Sequence, residues 1–202
     1  MDRKGFTLIE ILIVLAITAV LSGLAIVYSH VGQSQISLSI EESKVAQLIL
    51  EAKELSIATY SADDATCAYG VQFNLASSTY SLFAYNAAAS STLYPGRPIC
   101  PSLASTTASF DTNAISEYAG GSWQIHTAQG VVLDDPQNPA SDTIQDVLFY
   151  PPDPFTLISF DGQTFSGAYT DPPAPTGYVY LSTVDGSASR TISVNSAGQV
   201  SL

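Results

Sequence analysis

Residues 4–10 read KGFTLIE, and they open an apolar run that continues through residues 6–27. As a helix this run would measure about 33 Å, which is enough to cross a bilayer core of roughly 30 Å. Arg3 and Lys4 precede the run, so the positive-inside rule leaves the N-terminus in the cytoplasm. We therefore expect a transmembrane segment at residues 6–28 and the rest of the chain outside the membrane.

A secretory signal peptide is the alternative interpretation of this segment. Such signals have an apolar core of about 7–15 residues, and residues 23–25 offer a small-residue cleavage site. The run in this chain is longer, and it contains a carboxylate at Glu10. Because a charged group in a membrane helix is costly unless it is paired, Glu10 favours a retained anchor with a functional carboxylate.

The motif at residues 4–10, followed by a long apolar helix, resembles the cleavage and methylation signal of the type IV pilin and type II secretion pseudopilin superfamily. In that superfamily a membrane-embedded prepilin peptidase cuts after the glycine and N-methylates the next residue. The resemblance implies a leader peptide at residues 1–5, cleavage between Gly5 and Phe6, and methylation of Phe6. It also implies that Glu10 pairs with the terminal amine of a neighbouring subunit during filament assembly.

Beyond the apolar run, the pattern predicts that one helix continues over residues 6–60, with its second half packed on a globular head. Apolar residues recur at spacings of three, four and seven, which is typical of one helix face: Leu38, Val45, Leu48, Ile49, Ala52, Leu55 and Ala58. The charged residues are predicted to lie on the solvent side: Glu41, Glu42, Lys44, Glu51, Lys53 and Glu54.

Residues 61–202 are predicted to form a β-rich head. Alternating apolar residues predict a hairpin at residues 69–84, and residues 87–109 are expected to be a long ordered loop. Further strands are predicted at residues 123–127, 131–134, 144–150, 155–160, 178–184, 191–194 and 199–202, of which the last three would form an antiparallel meander. The predicted fold class is α+β and pilin-like: a long N-terminal helix packed on a head of seven to nine antiparallel strands.

The head resembles that of the H-type minor pseudopilins and related minor pilins. The resemblance rests on a Tyr-Gly-Val step at residues 69–71 and a closing stretch at residues 192–198, ISVNSAG. It implies a minor subunit at the tip or in the initiating complex of a type IV pilus or a secretion pseudopilus. A major pilin of the same superfamily is the first alternative, and a secreted ligand-binding β-domain released by signal peptidase is the second.

The same resemblance implies the partners and the location of the protein. The partners would be other pilin or pseudopilin subunits, prepilin peptidase, the inner-membrane assembly platform, and the lipid bilayer before assembly. The subunit would reside in the cytoplasmic (inner) membrane with its head outside, and then in a periplasmic or cell-surface filament.

The charge balance argues against nucleic acid as a partner. The chain has six basic and eighteen acidic residues, for a net charge of −12. From Asp63 onward only Arg97 and Arg190 oppose twelve acids. Because phosphate-rich partners require clustered Lys and Arg, we expect no nucleic-acid binding.

Cys67 and Cys100 are the only cysteines. Outside the membrane an oxidising compartment favours a disulfide between them, which would close a loop of 34 residues. On the chain-entropy estimate this bridge would stabilise the head by about 3–4 kcal/mol. Two free buried thiols are the alternative.

One loop contains four oxygen-bearing side chains that are a weak candidate for calcium: Asp134, Asp135, Asn138 and Asp142. Their spacing matches no strict calcium loop, and a solvated acidic loop is the alternative interpretation. No other metal site and no cofactor is expected.

The sequence contains none of the usual catalytic motifs. It lacks a His-Glu-x-x-His pair, a paired-cysteine motif, a glycine-rich phosphate loop and a Gly-x-Ser-x-Gly elbow. The head histidine, His126, is expected to be structural, and His30 to be a solvated interfacial residue. Aromatic residues at 149–160 and 165–180 could line a groove for carbohydrate or peptide, but their strand spacing favours the core. We expect that the protein is not an enzyme.

Overall fold

The computed structural model describes residues 7–59, 66–86, 108–109, 115–117, 124–133, 142–151, 155–162, 164–166 and 176–202. In this part of the chain, one helix, α1 (Leu8–Thr59), precedes twelve strands. The strands are β1 (Thr66–Asn74), β2 (Thr79–Asn86), β3 (Ala108–Ser109), β4 (Ile115–Glu117), β5 (Ile125–His126), β6 (Val131–Leu133), β7 (Asp146–Tyr150), β8 (Phe155–Ser159), β9 (Thr164–Ser166), β10 (Thr176–Thr183), β11 (Ser189–Asn195) and β12 (Val200–Ser201).

The strands form two antiparallel sheets. The larger sheet has the order β3-β9-β8-β7-β1-β2-β4, with β5 also pairing with β2. The smaller sheet has the order β12-β11-β10-β6. The α+β class is thereby confirmed, and a long N-terminal helix followed by antiparallel sheets is consistent with a pilin-like fold.

Two predicted supersecondary units are confirmed. The β1–β2 hairpin pairs Tyr69 with Ala84 and Phe73 with Tyr80. At the C-terminus, β10 pairs with β11 and β11 with β12, which is the predicted meander. The predicted total of seven to nine strands was wrong, because β3, β4 and β9 are only two or three residues long and show no alternation that a sequence pattern could reveal.

Helix α1 contains 52 residues and is about 78 Å long. Thr7 caps its N-terminus, because its carbonyl accepts from the amides of Glu10 (3.1 Å) and Ile11 (3.3 Å). The Thr7 hydroxyl oxygen also accepts from the Glu10 amide at 3.4 Å. The Thr-x-x-Glu spacing is that of a capping box. The helix then runs unbroken through Gly23 and Gly32, where the sequence has its weakest helix formers.

The second half of α1 contributes to one hydrophobic core shared with both sheets. Its members from the helix are Leu38, Val45, Ile49 and Ala52; those from the large sheet include Val71, Phe73, Val147, Phe149 and Ile158; those from the small sheet include Leu133, Val179, Leu181, Ile192 and Val194. Gly70 lies where β1 meets its neighbours, and a Cβ there would come within 2.5 Å of the Phe83 ring and the Val147 carbonyl oxygen. Glycine is therefore required by this close approach.

Glu41 was predicted on the solvent side of the helix, and the structure corrects this: its exposed fraction is 0%. The helical period of 3.6 residues explains this burial. Glu41 follows Leu38 by three residues and precedes Val45 by four, so it lies on the buried face. Ala58 was predicted on that face and is exposed instead. The buried face therefore has the predicted register and differs from the prediction at these two positions.

Candidate functional site

The N-terminal segment places Glu10 in the first turn of α1, where it is exposed. Gly5 and Phe6 lie outside the described residues, so cleavage and methylation there stay predictions. Within the described residues, the segment Leu8–Ala25 is long and apolar enough to cross a membrane, with a mean hydropathy of 2.5 and no contact with the head. The segment is compatible with membrane anchoring.

The polar group in the middle of this segment is satisfied within the helix. The Thr18 hydroxyl donates to the carbonyl oxygens of Val14 and Leu15, at 3.0 Å each. Because lipid offers no hydrogen-bond partners, this local bonding lowers the cost of a hydroxyl in an apolar environment.

Four apolar side chains are exposed among polar ones on the outer side of the second half of α1. Ile36, Ile40, Leu50 and Ile57, which we call the outer stripe, are 45–63% exposed. Their spacings of four, ten and seven residues place them within about 100° of one another on the helix, opposite the face that packs on the head. Exposed apolar side chains are therefore present on the outside of the helix beyond the membrane span as well as within it.

Polar contacts hold the inner face of α1 on the head. The Ser56 hydroxyl donates to the buried carbonyl oxygen of Phe149 in β7. Lys53 Nζ donates to the Gly198 carbonyl oxygen at 2.9 Å, next to β12. Arg190 Nε in β11 lies 3.6 Å from Glu42 Oε2. These contacts reach both sheets, so they give the helix one orientation on the head.

Buried Glu41 is the centre of a further contact between helix and sheet. Tyr80 Oη in β2 donates to Glu41 Oε1 at 2.7 Å, and Lys44 Nζ lies 3.3 Å from Glu41 Oε2. Burial, together with the hydrogen bond to Glu41, raises the pKa of Tyr80 well above its usual value. The hydroxyl therefore stays protonated and donates at all physiological pH values.

The remaining predicted sites lie apart from α1 or outside the described residues. Cys67 is buried in β1, and Cys100 lies outside the described residues, so their bridge stays a prediction. Of the acidic loop only Asp142 is described; Asp134, Asp135 and Asn138 lie outside. His126 is exposed in β5. Among the predicted groove aromatics, Phe149 is fully buried in the core.

Asp146 is a buried carboxylate beside a cavity that the sequence analysis missed. It begins β7, its exposed fraction is 0%, and it lines an open cavity of about 380 Å³ together with Gln72, Gln145 and Gly162. Burial raises the pKa of Asp146 to about 6; the Gln72 side chain lowers it in part, and Asp161 raises it further. The sequence signal was an acid inside an apolar strand, IQDVLFY at residues 144–150.

The described side chains include no evident metal centre. Among them, no set of three or more His, Cys, Asp and Glu side chains is placed to hold a metal ion. The geometry instead supports anchoring, by a long exposed apolar helix, and display of a head fixed on that helix.

Comparison with protein families gives one match. The prokaryotic N-terminal methylation motif matches residues 1–26. This match supports a place in the type IV pilin and pseudopilin-like superfamily, and it implies processing by prepilin peptidase and assembly with other pilin subunits. No curated protein and no solved structure matches the chain.

Proposed function

We propose that this protein is a minor subunit of a type IV pilus or a type II secretion pseudopilus. It is cut between Gly5 and Phe6, methylated at Phe6, held in the cytoplasmic membrane, and assembled through α1 as a tip or initiating subunit. The observation that carries the proposal is the methylation motif at residues 1–26 continuing into one unbroken 52-residue helix.

The outer stripe supports assembly through the helix. Ile36, Ile40, Leu50 and Ile57 leave apolar surface exposed on the second half of α1, although its opposite face is already covered by the head. Exposed apolar surface of this extent is typical of protein–protein contacts. Its place on the same helix as the apolar anchor favours packing of α1 against the same helix of neighbouring subunits.

The role of the head in this proposal is interaction and not catalysis. After cleavage the chain keeps four basic and seventeen acidic side chains, a net side-chain charge of −13. Such a charge disfavours nucleic-acid binding and favours protein partners, which would be other subunits, the inner-membrane assembly platform and prepilin peptidase.

Sequencing of the mature N-terminus tests the proposal directly. We expect the purified protein to begin at Phe6 with an N-methyl group, which adds about 14 Da to the terminal residue. A start at Ile26 would show release by signal peptidase and would overturn the proposal in favour of a secreted β-domain. Counting copies per filament by quantitative mass spectrometry then tests the minor role, because a major pilin would form most of the filament.

A further inference from the structure

Asp146 lies in the middle of a polar row that crosses three neighbouring strands of the large sheet. In the strand register Asp146 of β7 pairs with Gln72 of β1 on one side and with Ser159 of β8 on the other. Cross-strand partners extend to the same face of a sheet, so the three side chains are neighbours. The row therefore combines one carboxylate, one amide and one hydroxyl.

The Asp146 carboxylate has no ion-pair partner in the part of the chain that the structure describes, and the neighbouring Gln72 side chain only partly lowers its pKa. Both Oδ1 and Oδ2 are buried, and neither has a hydrogen bond there. A buried ionised group is costly unless it is paired or coordinates a metal ion. A buried carboxylate that lines an open cavity of about 380 Å³ is therefore placed to bind a cation.

Oxygen atoms converge beside Gly162, in the turn that follows β8. A Cβ on Gly162 would lie 2.9 Å from Gln145 Oε1 and 3.6 Å from Asp146 Oδ2, so both oxygens face one point. Ser159 holds this turn, because its hydroxyl accepts from the Gly162 amide at 2.9 Å and donates to Asp161 Oδ1 at 3.1 Å. Gly162 has a φ of +70°, which suits glycine.

The chain supplies few cations that could neutralise this cavity. From Asp63 onward it contains only Arg97 and Arg190, and Arg190 lies against Glu42 on the helix. Asp161 adds a second carboxylate near Asp146 and so increases the local negative charge. Among the described residues no basic side chain forms an ion pair with Asp146, so the counter-charge in this proposal comes from solution.

We propose that this cavity binds one hard divalent cation, for which Ca²⁺ is the probe. Asp146 would supply the central ligand, with the side-chain carbonyl oxygen of Gln145 and the carboxylate of Asp161 around it. Such a set of hard oxygen donors, completed by water in an open cavity, matches the six to eight oxygen ligands that Ca²⁺ takes. Because one of the proposed ligands is the amide oxygen of a glutamine, carboxylate and histidine side chains alone do not define the site.

The proposed site differs from the acidic loop that the sequence suggested. Asp142 is the only described residue of that loop, and its carbonyl oxygen accepts from the Tyr178 amide at 3.0 Å. Tyr180 Oη approaches Asp142 Oδ1 at 3.5 Å. Asp142 therefore has partners on the small sheet, and its replacement provides a matched control for Asp146.

Calcium binding by the full chain in detergent micelles tests the proposal. After treatment with chelator, the wild type is titrated with Ca²⁺ in equilibrium dialysis and in thermal unfolding. We expect one Ca²⁺ per chain at millimolar concentration or below and a rise in Tm. Asp146→Asn is expected to weaken binding at least about tenfold, and Asp142→Asn to leave binding unchanged, because only the former removes a ligand charge.

Two controls keep the result interpretable. In the presence of chelator, the Asp146→Asn variant should be at least as stable as the wild type, because the substitution replaces an unpaired buried charge by a neutral amide of similar shape. Asp161→Asn, at an exposed position, should weaken binding without affecting folding. The proposal is overturned if the wild type takes up no Ca²⁺ at millimolar concentration, if Asp146→Asn binds as tightly as the wild type, or if Asp142→Asn alone abolishes uptake.

Discussion

Two buried carboxylates, Glu41 and Asp146, show how single residues of this head differ in their surroundings. Both have an exposed fraction of 0%. Glu41 accepts a hydrogen bond from Tyr80 and lies beside Lys44, whereas Asp146 has no hydrogen bond among the described residues. Because unpaired buried charge is costly, Glu41 acts as a contact between helix and sheet, and Asp146 is the group that the proposed cation would neutralise.

Removing the Tyr80 hydroxyl tests the structural role of Glu41. Tyr80→Phe leaves Glu41 buried with only Lys44 beside it, so we expect the free energy of unfolding of the head to fall by about 1–3 kcal/mol. Urea denaturation of the full chain in micelles, followed by tyrosine fluorescence, measures the change. Tyr178→Phe is the control, since the half-buried Tyr178 ring stacks on Tyr180, and it should change stability by less than about 0.5 kcal/mol. Equal effects of the two substitutions would contradict this role.

Glu10 is the residue on which the proposed assembly register depends. We expect Glu10→Ala to be processed normally but to enter filaments poorly, because the terminal amine of the neighbouring subunit loses its counter-charge in a water-poor bundle. Immunoblots of sheared filaments, compared with the membrane pool, measure incorporation. Glu51→Ala removes an exposed carboxylate farther along α1 and should assemble normally. Wild-type incorporation of the Glu10 variant would refute the pairing.

At the scale of elements, α1 combines two apolar surfaces that serve different contacts. Its inner face packs on both sheets, and its outer stripe stays exposed in the single chain. The sequence pattern revealed the helix and its inner face, because a period of 3.6 is a local signal. It did not reveal the outer stripe, since apolar residues scattered among Glu51, Glu54 and Lys44 look like a solvated face until the head is in place.

Introducing a charged residue into the outer stripe tests the assembly surface without altering the fold of the head. Ile40 is 51% exposed, so Ile40→Lys should change the stability of the head by less than about 0.5 kcal/mol. We expect it to reduce incorporation into filaments severalfold, because a lysine would be buried between neighbouring helices. Val184→Lys, in the exposed turn between β10 and β11, is the matched control and should assemble normally. Equal incorporation of the two variants would exclude the outer stripe from the assembly surface.

At the scale of the whole molecule, the two sheets and the helix form one unit around a shared core. The segment before β7 also links the sheets, because the Ile144 amide donates to the Tyr178 carbonyl oxygen at 2.8 Å and Thr143 bridges to Tyr178. Through these contacts α1 is packed against both sheets of the head.

A disulfide between Cys67 and Cys100 would add a covalent tie to this unit. Cys67 is buried in β1, directly after the junction with α1, and the bridge would connect that junction to the chain beyond the first hairpin. We expect the intact mass to rise by about 2 Da on reduction, and the free energy of unfolding to fall by about 3–4 kcal/mol. An unchanged mass under reducing conditions would show two free thiols and remove the predicted bridge.

The sequence by itself determined the features that depend on neighbouring residues. These are the processing motif at residues 4–10, the apolar anchor, the length of α1, the first hairpin and the C-terminal meander. Each of them depends on a periodicity or a turn formed by contiguous residues. Only the tertiary structure decided which carboxylates are buried, how the short strands β3, β4 and β9 pair, and that Gln72, Asp146 and Ser159 form one row. Those features arise from strands distant in the chain, and pairing between distant segments leaves no local pattern.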